Sequence, residues 1–250
     1  MNATKKKMMA VALSVAGLLL GGNALAAGGP GNLPQAGTNI KDIASVQRGA
    51  QLFVNYCLSC HSADYMRYNR LVEDLGLPEQ MVMNNMVFSD AKIGETMSIA
   101  MSKEDGEAWF GKAPPDLSLI GRSRGVDWLY AYMRNFYQDD TGRWNNTILE
   151  NASMPHVMWQ LQGIQTPVYK TVTEGEIQRQ VIDHLELTTP GQLSPEAYDD
   201  TVRDLVTFLE YLGEPAKMKR KNIGVWVMLY LAVFAFLAFL LKAEYWRDVH

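Results

Sequence analysis

The sequence predicts a mainly α-helical domain that is exported from the cytoplasm and held to a membrane by one C-terminal helix. Three observations lead to this fold class. The N-terminus has the pattern of a secretory signal peptide, apolar residues recur at helical spacing through the middle, and an uncharged apolar run lies near the end. Roughly 185 residues lie between the two ends, which is the size of one domain.

The N-terminal segment has the three parts of a signal peptide. Residues 5–7 are lysines, residues 8–20 are an apolar stretch, and residues 24–26 read Ala-Leu-Ala, a small-x-small cleavage pattern. We therefore predict a cleaved signal peptide over residues 1–26 and a mature protein that begins near Ala27. The alternative is an uncleaved anchor, for which the apolar stretch is short.

Local patterns predict five helices and two short strands in the exported domain. The clearest helix has Ser194 as N-cap, Pro195 at its first position and one apolar face that includes Val202, Leu205 and Leu209. The predicted helices are residues 46–56, 64–75, 78–86, 127–137 and 195–212. Strands are predicted at 168–172 and 182–187, and irregular segments at 111–125, 139–151 and 161–173.

The most informative motif is Cys57-Leu58-Ser59-Cys60-His61, which reads C-x-x-C-H and is the attachment signature of c-type haem. Two cysteines three residues apart lie on one face of a helical turn, so both sulfurs can form thioethers to one haem. His61 then lies beneath the iron as the proximal ligand. The alternatives are a surface redox pair or half of a zinc site, but the chain holds only these 2 cysteines.

A haem that transfers electrons generally has a sixth ligand, and the candidates here are His156, His184 and several methionines. Met154 stands out because the polar segment Asn151-Ala152-Ser153-Met154-Pro155 places its thioether on a turn-prone loop. Thioether ligation also raises the haem potential. His156, His184 and the other methionines remain open as alternatives at this point.

Residues 223–241 form a run of 19 residues without a charge, about 28 Å long as a helix. Aromatic residues near both ends, Trp226 and Tyr230 and then Tyr245 and Trp246, are typical of membrane interfaces. We predict an exported domain over residues 27–220, a transmembrane helix over 221–243 and a short cytoplasmic tail over 244–250.

Basic residues before the predicted span run against the positive-inside rule. Lys217, Lys219, Arg220 and Lys221 precede it, and Lys242 and Arg247 follow it. Large domains cross membranes largely regardless of charge, so the signal peptide and the haem motif decide the orientation. We interpret the basic cluster as contacts to lipid headgroups or to a partner subunit.

The exported domain is acidic. Residues 27–213 contain 14 Lys and Arg and 24 Asp and Glu, a net charge of 14 − 24 = −10. Such a domain attracts basic soluble partners by its long-range field, and nucleic acid is not expected among its partners.

Several segments in order resemble one known family. They are RGAQLF at 48–53, CLSCHSADYMRYNRLV at 57–72, APPDLSLIGRSRGVDWLYAY at 113–132, SMPHVMWQLQG at 153–163 and the tail EYWRDVH. Together with the single C-terminal span, they resemble cytochrome c1, the haem subunit of ubiquinol–cytochrome c reductase, in its bacterial form. The resemblance covers nearly all of the mature chain. It implies a class I cytochrome c-like haem domain with long irregular loops.

The resemblance also implies the residues of the site. It places one haem c on Cys57 and Cys60, with His61 and Met154 as axial ligands, which makes His156 a neighbour in the same loop.

Three further positions come from the same resemblance. Pro115 belongs to the wall beside the haem, Arg124 pairs with a haem propionate, with Arg122 as its rival, and Trp128 packs near the propionates. The chain departs from the mitochondrial form in having scattered acidic clusters where that form has a longer acidic stretch.

The function implied by the resemblance is electron transfer without bond-making chemistry. The haem would receive electrons from a Rieske iron–sulfur protein and pass them to a soluble periplasmic cytochrome c. The other implied partners are a cytochrome b subunit, membrane lipid and a second copy within a dimeric complex. The implied location is the bacterial inner membrane, with the haem domain on the periplasmic side. The alternatives are a membrane-anchored, peroxidase-like haem enzyme with a displaceable sixth ligand, a haem-based gas sensor and a structural assembly subunit.

Overall fold

The computed structural model describes residues 33–174 and 177–248, so the predicted signal peptide lies outside the described residues. The described helices are α1 (Ile43–Leu52), α2 (Asn69–Glu73), α3 (Glu79–Asn85), α4 (Lys103–Phe110), α5 (Ile120–Ser123), α6 (Val126–Arg134), α7 (Trp159–Gln162), α8 (Pro195–Gly213) and α9 (Lys217–Tyr245). The described strands are β1 (Ala63–Arg67), β2 (Thr96–Met97), β3 (Phe136–Gln138), β4 (Trp144–Asn146), β5 (Gly163–Glu174) and β6 (Ile177–Pro190). They pair as β1–β2, β3–β4 and β5–β6, each antiparallel. The mainly helical prediction is confirmed.

The core is built on the crossing of α1 and α8. At Gly49 the two backbones approach so closely that an added Cβ would lie 2.1 Å from the Asp204 carbonyl oxygen and 2.7 Å from Phe208 Cβ. The rings of Phe53 and Phe208 pack with their centroids 5.4 Å apart. Arg48 closes the outer side of the crossing with a bidentate contact to the Asp204 carboxylate, at 2.5 and 2.9 Å. This crossing fixes α1, which leads directly into the C-x-x-C-H motif.

Helix α8 begins and ends as its sequence predicts. The Ser194 hydroxyl accepts a hydrogen bond from the Ala197 N–H at 3.3 Å, and Pro195 occupies the first turn. The helix extends one residue beyond the predicted end, to Gly213. Its buried apolar side chains are Tyr198, Val202, Leu205, Val206, Phe208, Leu209, Tyr211 and Leu212. Burying one such side chain stabilises the fold by about 1.5–3 kcal/mol, so this face anchors the domain.

Two predicted helices differ from the structure at their ends. The helix predicted at 46–56 begins earlier, at Ile43, because the Asp42 carboxylate accepts from the Ser45 N–H at 3.2 Å. It then widens into one π-helical turn, Phe53–Cys57. The helix predicted at 127–137 ends at Arg134, since the chain turns there into β3. The helix predicted at 78–86 is confirmed as α3.

The prediction of one helix over residues 64–75 is wrong in its first half. Residues Ala63–Arg67 form β1, and only Asn69–Glu73 are helical. The cause is tertiary, because the N–H groups of Asp64 and Tyr65 donate to side chains of the 116–118 segment instead of to a helix.

The strands predicted at 168–172 and 182–187 are parts of a much longer hairpin, and the irregular segment predicted at 161–173 is mostly strand. Strands β5 and β6 pair from Gly163 opposite Pro190 to Glu174 opposite Ile177. Register shifts after Ile164 and after Val168 interrupt the alternation of side chains, which hides most of the hairpin from a period-two pattern.

Helix α9 contains one stretch, Ile223–Tyr245, that is long and apolar enough to cross a membrane by length and composition. None of its most apolar part is buried within the described chain.

Three residues of the basic cluster before the span pair with carboxylates of the same chain, a pairing that the sequence does not predict. The ion pairs join Lys217 to Glu210, Lys219 to Asp74 and Arg220 to Glu214. Asp74 has a nearly buried side chain and also accepts a hydrogen bond from the Tyr211 hydroxyl at 2.9 Å. The first turn of α9 is therefore tied to α8 and to the end of α2.

Candidate haem-binding site

The C-x-x-C-H motif forms a tight turn that continues α1. The π-helical turn closes with a 2.9 Å hydrogen bond from the Leu58 N–H to the Phe53 carbonyl oxygen. The N–H groups of Cys60 and His61 then both donate to the Cys57 carbonyl oxygen, at 3.0 and 2.9 Å. This turn brings the two cysteines and the histidine together, as the motif predicts, and π-helical turns are frequent at functional sites.

The two cysteines differ in their surroundings. Cys57 is buried, Cys60 is partly exposed, and both are free of disulfides. Burial, with a smaller contribution from Cys60, raises the pKa of the Cys57 thiol to about 12. Among residues 33–174 and 177–248 no group of three metal-binding side chains is present. The structure thus gives no support to the zinc alternative.

His61 is held in one orientation by a backbone carbonyl. Its Nδ1 lies 2.7 Å from the Pro115 carbonyl oxygen, so Nδ1 carries the proton and donates. Nε2 is then the unprotonated nitrogen that can bind a metal. Burial lowers the pKa of His61, although this hydrogen bond and the Asp116 carboxylate act in the opposite direction. A neutral imidazole is the form that binds iron.

Asp116, the residue that follows Pro115, is a further residue of the site that its sequence pattern does not single out. Burial acts to raise the pKa of its carboxyl, but hydrogen bonds from Ser118, Asp64 and Ser62 outweigh it and hold the pKa below its usual range. The only sequence signal was its place in the Pro114-Pro115-Asp116-Leu117 segment.

Met154 lies on a loop that is tied to the core by a buried amide. The Asn146 side chain is fully buried, donates to the Tyr132 carbonyl oxygen and accepts from the Ile148 N–H, both at 2.8 Å. Met154 itself is partly exposed and packs against the hydrophobic core. Its thioether therefore sits on an anchored loop, as the sequence predicts.

His156 is a core side chain below that loop. Its ring is 1% exposed and stacks on Phe136 with 4.9 Å between centroids and 3° between planes. The rings of Trp144 and Tyr198 meet it edge-on. Neither ring nitrogen has a partner of normal hydrogen-bond geometry among the described residues. Burial lowers the pKa of His156 to about 4, although the Gln162 side chain acts in the opposite direction. This enclosure favours Met154 over His156 as the sixth ligand.

His184, the other candidate, is an exposed residue on β6. Its Nδ1 lies 3.0 Å from the Asp183 carboxylate, which also pairs with Lys170. The imidazole thus belongs to the charged surface of the hairpin.

The side chains of Arg124 and Trp128 are in contact with each other. The Arg124 guanidinium lies over the Trp128 ring at 5.0 Å. Trp128 stacks on Tyr132 at 4.9 Å, and Tyr132 meets Phe136 at 4.9 Å, which in turn stacks on His156. An aromatic column therefore connects the Arg124 side of the domain with the loop that carries Met154.

Arg122, the rival of Arg124, is engaged elsewhere. Its side-chain stem packs at the C-terminus of α8, where a Cβ added to Gly213 would lie 3.1 Å from Arg122 Cγ. This contact favours Arg124 as the arginine available to a propionate.

The described residues fit a covalent haem in the chemistry of their donors. Two sulfurs lie one helical turn apart, one imidazole has its Nδ1 proton fixed, and one thioether lies on an anchored loop. Comparison with known proteins then decides the family. The family described as "Cytochrome C1 family" matches residues 37–108 and 90–249. The chain belongs to the cytochrome c1 family.

Three relatives illustrate the similarity. Cytochrome c1 of Allochromatium vinosum is 47% identical over 230 residues, which cover 90% of this chain and 93% of that protein. The ammonia monooxygenase gamma subunit of Nitrosomonas europaea is 44% identical over 220 residues, 87% of this chain and 89% of that protein. Cytochrome b/c1 of Bradyrhizobium diazoefficiens is 30% identical over 243 residues, 84% of this chain and 34% of that protein.

Family membership establishes the general function. This cytochrome c1 family member carries covalent haem c, and Cys57 and Cys60 are the cysteines of its attachment motif. It is the membrane-anchored, electron-transferring haem subunit of a cytochrome bc1 complex, which implies a cytochrome b subunit and a Rieske protein as partners. The prediction of an electron-transfer haem protein is confirmed.

Proposed function

We propose that this chain accepts single electrons from the Rieske iron–sulfur protein and passes them to a soluble periplasmic cytochrome c, with His61 and Met154 as axial ligands of its haem. The observation that carries the proposal is the 2.7 Å contact between His61 Nδ1 and the Pro115 carbonyl oxygen, within a C-x-x-C-H turn. It presents Nε2 as a fixed ligand, which is what a low-spin electron-transfer haem requires.

Neighbouring residues restrict the motion of the two proposed iron ligands, His61 and Met154. When bound, the haem supplies reversible one-electron chemistry at its iron. Cys57 and Cys60 would hold the haem covalently at the turn after α1, and the Pro115 carbonyl oxygen keeps the His61 ring from rotating. The Asn146 hydrogen bonds hold the loop from which Met154 would bind the iron. Rigid ligands keep reorganisation small when the charge on the iron changes, so electrons can pass quickly.

Arg124 would pair with a haem propionate, with Trp128 beside it. The support is the 5.0 Å contact that holds the guanidinium over the indole ring, because it orders an otherwise exposed charge. Pro115 would form part of the wall of the haem cleft, since its carbonyl oxygen contacts the axial histidine.

The soluble acceptor would be a basic cytochrome. The net charge of −10 over residues 27–213 attracts such a partner at long range, and salt weakens this attraction. The domain over residues 27–220 would lie in the periplasm, because covalent haem attachment and the predicted signal peptide both require export.

Helix α9 would hold the domain to the bacterial inner membrane as a single span, in contact with lipid and with cytochrome b. Its stretch Ile223–Tyr245 has the length and composition for this role, and residues 244–250 would form the cytoplasmic tail. The name of the Bradyrhizobium relative joins b and c1 in one protein, which supports the neighbourhood of cytochrome b. The complex would be a dimer, as the family resemblance implies.

The alternatives are a peroxidase-like enzyme, a gas sensor or an assembly subunit, and the family finding disfavours them. The name of the Nitrosomonas relative raises a different possibility, a subunit of a monooxygenase complex. The ligand response of the haem and the identity of the co-purifying subunits distinguish these alternatives from the proposal.

Purification from membranes in mild detergent tests the proposal. We expect the chain to co-purify with a two-haem b-type subunit and an iron–sulfur protein, and its reduced haem to resist carbon monoxide. Co-purification with monooxygenase subunits instead, or rapid carbon monoxide binding by the native reduced protein, would overturn it.

A further inference from the structure

Hydrogen bonds join the segment after His61 to the segment after Pro115. Besides the 2.7 Å contact of the two residues themselves, the Leu117 N–H donates to the Ser62 carbonyl oxygen at 2.8 Å and the Tyr65 N–H donates to Ser118 Oγ at 3.1 Å. These segments lie about 50 residues apart in sequence. These hydrogen bonds therefore fix the position of the Pro115 carbonyl oxygen relative to the His61 imidazole.

The Asp116 carboxylate accepts three of the hydrogen bonds between and within these two segments. Its Oδ2 accepts from Ser62 Oγ and from the Asp64 N–H, both at 2.8 Å. Its Oδ1 accepts from the Ser118 N–H, also at 2.8 Å. One side chain thus joins Ser62 and Asp64, which follow the axial histidine in the chain, to Ser118, which follows Pro115.

We propose that Asp116 is a positioning residue for the axial histidine, because its carboxylate clamps residues 62–64 to residues 115–118 and so sets the length and direction of the His61–Pro115 hydrogen bond. The inference rests on the proposed ligand role of His61. It goes beyond the proposed function, which gives Asp116 no part.

The clamp has a consequence for the haem that a merely structural contact does not have. A strong hydrogen bond from Nδ1 increases the basicity of the imidazole, and a more basic ligand stabilises ferric iron. Weakening that bond therefore raises the reduction potential. It also changes the ligand field, which the EPR spectrum of the ferric low-spin haem reports.

The test compares Asp116→Asn with Asp64→Asn in the purified intact complex. Both variants remove one negative charge beside the C-x-x-C-H turn, so both raise the potential through electrostatics. The Asp64 carboxylate, however, lies near one donor in the described chain, Ser62 Oγ at 3.2 Å, and the single hydrogen of that hydroxyl is directed to Asp116 at the shorter distance of 2.8 Å. Asp116→Asn replaces one accepting oxygen by an NH₂ group that faces other donors. It therefore weakens the hydrogen bonds between residues 62–64 and residues 115–118 at nearly constant side-chain volume.

We expect Asp116→Asn to raise the potential more than Asp64→Asn and to shift the largest g value of the ferric haem, which Asp64→Asn leaves unchanged. Ser62→Ala, which removes a single hydrogen bond to Asp116 without a charge change, serves as the milder variant if Asp116→Asn does not assemble. It should shift the potential and the g value in the same direction by a smaller amount.

Equal potential shifts in the two asparagine variants with unaltered g values would overturn the role of Asp116. If Asp116→Asn does not assemble, a wild-type potential and g value in Ser62→Ala would overturn it as well. The wild-type complex in the same experiment separates this failure from failure of the proposed function. A wild-type spectrum without His/Met low-spin character would contradict the ligand assignment itself.

Discussion

His61 Nδ1 lies 2.7 Å from the carbonyl oxygen of Pro115, a residue 54 positions further along the chain. The contact joins the attachment turn at the end of α1 to the loop that precedes α5. It decides which imidazole nitrogen keeps its proton, and hence which one is available to iron. The ligand chemistry of the site thus depends on a tertiary contact as well as on a local motif.

Met154→Leu should remove the proposed sixth ligand while keeping an apolar side chain of similar volume. We expect the reduced haem to bind carbon monoxide rapidly and the reduction potential to fall by on the order of 0.1 V, because thioether ligation favours ferrous iron and axial ligands set potentials over about 0.8 V. Visible spectra under carbon monoxide and a redox titration of the purified complex measure both effects.

Met158→Leu is the matched control for that change. Met158 is fully buried four residues further on and has no proposed ligand role. Its replacement should leave the potential and the carbon monoxide response as in the wild type, since Leu and Met exchange at little cost in a core. If Met154→Leu behaves like this control, Met154 is not the sixth ligand.

His156→Phe should leave both the haem spectrum and the stability nearly unchanged. His156 is 1% exposed, and its ring nitrogens have no hydrogen-bond partner of normal geometry within the described residues. Phenylalanine keeps the stacking on Phe136 and removes these buried polar atoms, together with an interaction with the Gln162 side chain. We expect the free energy of unfolding to change by less than about 1 kcal/mol or to increase. A lost low-spin spectrum in this variant, measured by optical titration, would identify His156 as a ligand.

Features set by neighbouring residues were predictable from the sequence. The start of α8 follows from Ser194 and Pro195, and the turn around Cys57 and Cys60 follows from their spacing. The sequence patterns were informative there because hydrogen bonds between residues close in sequence determine the backbone conformation.

Features set by distant residues were not predictable in the same way. Strand β1 depends on distant residues, because it pairs with β2 and because Asp64 and Tyr65 bond to a loop about 50 residues away. The β5–β6 hairpin was underestimated because its bulges break the alternating pattern. The role of Pro115 came only from the family resemblance, and the clamp at Asp116 was visible only in three dimensions.

Gly49→Ala should destabilise the domain at the crossing of α1 and α8. The new Cβ would lie 2.1 Å from the Asp204 carbonyl oxygen, which is backbone and cannot move without separating the helices. We expect a loss of about 1–3 kcal/mol, typical of overpacking, and a lower temperature for loss of the haem c spectrum in the heated complex.

Gly94→Ala is the control for this substitution. A Cβ at Gly94 meets no described atom within 4 Å, and its φ lies outside the left-handed region. The stability of this variant should therefore differ from that of the wild type by no more than about 0.5 kcal/mol, and its haem c spectrum should be lost at nearly the wild-type temperature. Equal stability of the two variants would show that the helices separate without cost.

Arg124→Gln should lower the reduction potential more than Arg122→Gln. Each change removes one positive charge within the same three residues, but only Arg124 is ordered over Trp128, where it would offset a propionate, whereas the Arg122 stem packs against Gly213. Losing a nearby positive charge stabilises the ferric state. Because Arg124 is exposed, the expected shift is at most about 40 mV, the one-electron equivalent of about 1 kcal/mol. Redox titration of both purified complexes decides the matter: equal shifts, or a larger shift from Arg122→Gln, would move the propionate contact away from Arg124.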